Sequence, residues 1–250
     1  MDLLTDVLFP VTLGAAMGLF GGVFGIGGGI VAIPVLALGY GMDQTMAQGT
    51  ALAMMAPNLA IAWWRYARRN PVSLGASAAA LAVVSTLTTW AAAHYAQALN
   101  PYILQLLFSA FLAILGLRQL LASRAAVKPA PAAPKRFMPL VGLLSGGSMG
   151  LLGVGGGLVA TPFLTGLFGL GQRAAQSVAL ALVTPSSVAA LYSYADHHNV
   201  DWGLGLTLAA GGVATVSAGV ALAHAIPERR LQQAFAVMLI TTAAALAFKA

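Results

Sequence analysis

Gly21-Gly22-Val23-Phe24-Gly25-Ile26-Gly27-Gly28-Gly29, with Pro34 five residues on, and Gly150-Leu151-Leu152-Gly153-Val154-Gly155-Gly156-Gly157, with Pro162 five residues on, decide how this chain is read. The two stretches are the same motif met twice. Adding 128 to each position from Gly14 to Tyr66 gives Gly142 to Tyr194 without a gap, and 21 of the 53 paired residues are identical. Low complexity does not account for the pairs Pro34 with Pro162, Gln44 with Gln172, Gln48 with Gln176 and Pro57 with Pro185. A fixed internal period is the signature of duplication. The likeness continues weakly as Gly75 with Gly203 and, after a slip of one, Leu104-Gln105 with Leu231-Gln232.

The surroundings of the motif name its solvent. The chain has 250 residues, 59% hydrophobic and 7% charged, with a mean hydropathy of +0.86. A soluble domain carries charge on about a quarter of its residues. Uncharged apolar runs of about 20 residues recur throughout, each long enough to cross roughly 30 Å of hydrocarbon. An all-α integral membrane protein is therefore expected. The net charge of +6 calls for no nucleic acid, because basic residues collect in cytoplasmic loops to fix orientation. With no cysteine, disulfides, thiolate metal sites and cysteine nucleophiles drop out. Asp2 and Asp6 replace the basic start of a signal peptide, so no cleavable leader is expected.

Each half holds one long apolar stretch interrupted by glycines and three ordinary spans: about 3–40, 45–66, 73–98 and 101–123, then 138–168, 173–194, 203–226 and 229–248. The boundaries are 1–123 for the first repeat and 138–250 for the second. Residues 124–137, with Arg124, Lys128, Lys135, Arg136, Pro129, Pro131 and Pro134, form a basic Pro/Ala-rich cytoplasmic linker. The interrupted stretches are too long for one span and short for two. Adjacent glycines cost about 1 kcal/mol each in a helix relative to alanine, so the helix breaks there. Charge placement decides what the break means. If each broken stretch crosses once, the best orientation puts nine Lys/Arg inside and three outside. If each folds back as a hairpin, every half has five segments, the halves are inverted, and eleven lie inside with Lys249 alone outside. The inverted arrangement, with both termini outside, is preferred.

Interrupted segments at matching places in two halves point to a transporter's substrate site, since non-helical backbone at membrane depth must be buried or line a cavity. Helices restarting after Gly29 and Gly157 would aim free N–H groups and a positive dipole end at the gap. Glycine leaves an anion room to approach that backbone. The candidate substrate-binding residues are thus Gly27, Gly28 and Gly29 with Gly155, Gly156 and Gly157. Neutral hydrogen-bonding groups near the mid-span prolines Pro57 and Pro185 join them: Gln48, Asn58, Gln176, Thr184 and Ser186. Gly14, Gly18 and Gly22, spaced by four, suit close helix packing instead.

Asp196-His197-His198-Asn199-Val200-Asp201 holds metal-capable side chains, but its counterpart Arg68 to Ser73 does not, and consecutive positions suit a solvated loop better than a coordination shell. No metal, cofactor or catalytic residue is expected. His94 and His224 sit near span ends, where a proton relay competes with a structural role. Away from their ends the spans hold no Asp, Glu, Lys or Arg, which disfavours a proton pump or cation carrier.

The two glycine motifs, each followed by its proline, resemble those of the sulfite exporter TauE/SafE family, also called the toluene sulfonate uptake permeases. The resemblance covers nearly the whole chain, the duplication and basic linker included. It implies transport of small sulfur-containing anions, such as sulfite or organosulfonates, across the bacterial inner (cytoplasmic) membrane. The expectation is a secondary transporter rather than an enzyme, with an anion or small-solute channel of inverted-repeat design as the alternative. The expected partners are a small anionic substrate and the lipid bilayer; a homodimer is left open.

Overall fold

The computed structural model describes residues 7–69, 76–122, 134–154, 156–226 and 228–249. Most of the linker 124–137 and the site candidate Gly155 lie outside them. The described residues form ten α-helices: α1 (Phe9–Phe24), α2 (Gly29–Gly39), α3 (Gln44–Arg69), α4 (Ala76–Gln97), α5 (Pro101–Ala122), α6 (Met138–Leu152), α7 (Gly156–Gly166), α8 (Gln172–Asp196), α9 (Trp202–Ala225) and α10 (Glu228–Lys249). A single 3-10 turn at Lys135–Phe137 precedes α6. The six unbroken helices end within three residues of the predicted spans. Three of them carry windows long and apolar enough to cross a bilayer, Pro101–Arg118, Ala174–Asp196 and Trp202–Ala223.

Both glycine-rich stretches end one helix and start another. α1 stops at Gly25, whose φ of 68° is left-handed, a conformation that costs a residue with a β-carbon. α6 stops in the same way at Gly153, φ 67°. In both cases the chain then doubles back. In a continuing helix Ser145 and Gly156 would be about 16 Å apart, yet the Ser145 hydroxyl donates to the Gly156 carbonyl at 2.6 Å. Likewise a β-carbon at Gly28 would stand 2.7 Å from the Met17 carbonyl oxygen. Helix restarts come slightly earlier than the sequence suggests: Gly29 and Gly156 already open α2 and α7. Helical bonds can form as soon as φ returns to negative values, so the later glycines belong to a first helical turn.

The packing interleaves the two halves. α1 lies along α9, and its counterpart at the 128 offset, α6, lies along α4. α3 packs on α8 and α9, α8 also on α4, and α5 on α10. Small residues set the closest approaches. A β-carbon at Gly14 would fall on the Leu208 backbone, one at Gly18 on Gly212, and one at Gly22 on the Val216 carbonyl. Gly142, Gly146 and Gly150 meet Leu81, Ser85 and Thr89 of α4 in the same order. These ascending pairs make α1 run parallel to α9, and α6 parallel to α4. α3 and α8 run antiparallel: Gln48 of α3 meets Tyr194 near the end of α8, while Leu59 of α3 and Gln176 near the start of α8 both meet the first break. Outward faces are apolar, with Val83, Leu87 and Trp90 on α4 and Ile114 and Leu121 on α5 exposed. Such a surface is stable against hydrocarbon and not against water.

Candidate functional site

The two breaks lie against each other in the middle of the helix bundle. A β-carbon at Gly29, the first residue of α2, would stand 3.5 Å from a Val154 methyl in the second break. One at Gly157, the second residue of α7, would stand 3.6 Å from the Gly25 carbonyl oxygen in the first. The start of α2 therefore faces the second break and the start of α7 faces the first, across the narrow gap between the breaks. Gly28, with φ 90°, caps α2 and offers no side chain to that helix end. Four N–H groups open any helix without an intrahelical partner, and the aligned peptides add a partial positive charge.

The negative ends of the broken helices are covered instead. Gln176 donates its amide to the Phe24 carbonyl, the last of α1, at 3.0 Å. The Tyr194 hydroxyl reaches the Gly150 carbonyl near the end of α6 at 3.3 Å and donates to Gln48 Oε1 at 2.6 Å. The backbone N–H of Ile26 closes on the Gly21 carbonyl at 3.0 Å. The Gly21, Phe24 and Gly150 carbonyls are thus offset by N–H and O–H donors, while the Gly25 carbonyl faces the start of α7.

The two glutamines each serve the break of the opposite half, yet unequally. Gln176 lies beside Gly25, where a β-carbon would come within 2.6 Å of its Nε2, and that nitrogen is engaged by Phe24. Gln48 runs its stem along Gly153, whose β-carbon would stand 3.1 Å from Gln48 Cβ. Gln48 is fully buried, and its Nε2 has no hydrogen-bond partner within the protein. A buried amide N–H left unpaired costs about 1–3 kcal/mol.

The other candidates lie elsewhere along the same helices. Asn58 turns its amide onto Gly212 of α9; it is fully buried, and neither Oδ1 nor Nδ2 has a partner within the protein. Ser186 sits at the corresponding crossing of α8 with α4, 3.1 Å from the Ser85 hydroxyl, and donates to the Leu182 carbonyl at 2.8 Å. Thr184 donates to the Leu180 carbonyl at 2.7 Å. Their hydroxyls are spent on their own helix, a common use of Ser and Thr in spans. Gly27 packs against Leu59, and Gly156 against Val183 and Ser145.

Sequence reasoning passed over Tyr194, Ser145 and Gln44. Tyr194 carried a signal, since Tyr66 and Tyr194 are identical at the 128 offset and both are buried. Gln44 pairs with Gln172 in the same way; it lies one turn before Gln48, is 2% exposed, and neither of its amide atoms has a partner within the protein. Ser145 matches Met17 and gave no such signal.

The loop Asp196 to Asp201 does structural work. Asp201 caps α9 by accepting from the Leu204 N–H at 3.0 Å. Asn199 donates to Gln97 Oε1 at 2.6 Å, and His197 Nδ1 lies 2.8 Å from the Ser193 carbonyl. His94 and His197 meet edge to face, ring centroids 5.1 Å apart.

The sequence profile of the sulfite exporter TauE/SafE family matches residues 11–246. The chain belongs to the TauE/SafE family. Two relatives agree with that membership: a probable membrane transporter protein of Xylella fastidiosa strain 9a5c is 28% identical, covering 92% of this chain and 89% of its own length. One of the same description from strain Temecula1 / ATCC 700964 is 27% identical with the same coverage. No solved structure matches the chain. This TauE/SafE protein is a multi-pass membrane transporter.

Proposed function

We propose that the chain is a secondary transporter that moves small sulfur-containing anions, sulfite and organosulfonates, across the bacterial inner membrane through the gap between the two glycine breaks. In this reading residues 1–123 and 138–250 are inverted repeats joined by the basic linker 124–137. The antiparallel course of α3 and α8, and the exchange of α1 with α6 between α9 and α4, support that arrangement. One observation carries the proposal. The start of α2 faces the second break and the start of α7 the first, in a charge-free interior, while side-chain donors cover carbonyls at the C-terminal ends of α1 and α6. A site with two positive dipole ends and capped negative ends favours an anion. Gln48 Nε2 supplies a side-chain donor beside it. The anion replaces its water with N–H groups, and the absence of a fixed cation lets it leave again.

Gly157→Ala is the cleanest test. A methyl group there makes only ordinary contacts, at 3.6 Å from Gly25 O and 3.9 Å from Val183, and alanine stabilises a helical position by up to about 1 kcal/mol over glycine. It also fills part of the gap. In proteoliposomes, sulfite and methanesulfonate flux should fall at least about tenfold, a loss worth about 1.4 kcal/mol, while the unfolding midpoint holds or rises. Gly166→Ala, where nothing lies within 4 Å, is the control that should transport normally. Undiminished flux through Gly157→Ala would remove the gap from the transport path.

A further inference from the structure

We infer that this transporter selects the singly charged forms of its substrates, such as hydrogen sulfite and alkyl sulfonates, and rejects dianions of the same size. The inference rests on the site proposed above and adds the charge state of its cargo. Residues 7–40 and 138–172, which contain both breaks, include no Asp, Glu, Lys, Arg or His, and neither do residues 44–64 of α3 or 174–195 of α8. No charged side chain is buried among the described residues. The anion therefore meets only uncharged partners: the openings of two eleven-residue helices and the buried Gln48, whose stem lies along Gly153 and whose Nε2 has no partner within the protein.

Uncharged partners discriminate by charge for a simple reason. The attraction of a fixed dipole for an ion grows in proportion to the ion's charge. The cost of stripping water from that ion grows with the square, so a dianion pays about fourfold more than a monoanion of equal radius. Donors enough to balance one charge leave the second uncompensated. A lysine or arginine would close the difference, and none stands in these segments.

The test is flux into vesicles reconstituted with the full chain, measured above protein-free vesicles, from about pH 6 to about pH 8. Methanesulfonate carries one charge throughout, and its uptake should stay level, which also controls for titration of the protein. Sulfite uptake at fixed total concentration should fall about tenfold over that range, following the fraction that keeps its proton. Sulfate, a dianion throughout, should move at a few per cent of the methanesulfonate rate at most. Sulfate flux equal to methanesulfonate, or sulfite flux that holds or rises with pH, overturns the charge rule while leaving the transporter reading intact. Failure of both methanesulfonate and sulfite to move overturns the two together.

Discussion

The two glutamines at equivalent positions, Gln48 and Gln176, should respond in opposite ways to the same substitution. Gln176→Leu keeps the volume and removes a side-chain hydrogen bond to the Phe24 carbonyl, made at 3.0 Å. A net loss of about 0.5–1.5 kcal/mol of stability follows. Gln48→Leu removes the acceptor of the 2.6 Å bond from Tyr194, worth a similar amount, but Tyr194 keeps the Gly150 carbonyl. The same change eliminates a buried N–H that has no partner within the protein, relieving about 1–3 kcal/mol. The sum for Gln48→Leu runs from a loss of about 0.5 kcal/mol to a gain of about 2.5 kcal/mol in the ligand-free protein. Its effect on substrate should be the reverse. Losing a hydrogen bond to a charged group costs about 1.5–3 kcal/mol, so the anion should bind roughly 10- to 150-fold more weakly. Detergent-solubilised protein unfolded with and without methanesulfonate reads both quantities, because a ligand that prefers the folded state raises the midpoint. If Gln48→Leu destabilises as much as Gln176→Leu, or keeps the full anion-induced shift, the idea of a free amide waiting for substrate is wrong.

Two further outcomes follow from the packing. Gly18→Val would drive a side chain into the Gly212 backbone at the α1–α9 crossing; overpacking of this kind costs about 1–3 kcal/mol or more. The variant should unfold at a lower midpoint or fail to purify as a single species, and normal behaviour would mean that the two helices are not held at van der Waals distance. Asp201→Ala should lower stability by about 1 kcal/mol through the lost N-cap of α9 and leave flux per folded molecule unchanged. A selective loss of flux in that variant would return the Asp196–Asp201 loop to the functional site.

How much of this was legible beforehand can be argued residue by residue. Composition and run length alone demanded a membrane, because 7% charge cannot cover a water-soluble surface. The helix breaks were legible too, since successive glycines lack any side-chain reason to stay helical and only glycine adopts the left-handed turn at Gly25 and Gly153 without strain. Gly14, Gly18 and Gly22 announced a close helix crossing through their spacing, although not the partner, α9. Gln48 and Gln176 stood out as polar residues kept at equivalent places in apolar spans.

Tertiary structure alone decided the rest. It set the breaks of the two halves face to face, crossed each glutamine to the opposite break, and gave Gln176 a carbonyl while leaving the Gln48 amide N–H without one. It also turned Asn58 to α9 and Ser186 to α4, and brought Tyr194 into the site across 146 positions of sequence. Local sequence sets backbone dihedrals and solvent preference, because those energies belong to single residues and near neighbours. Which donors meet which acceptors is a property of helices distant in the chain, and it comes into being only when small residues let them approach to contact.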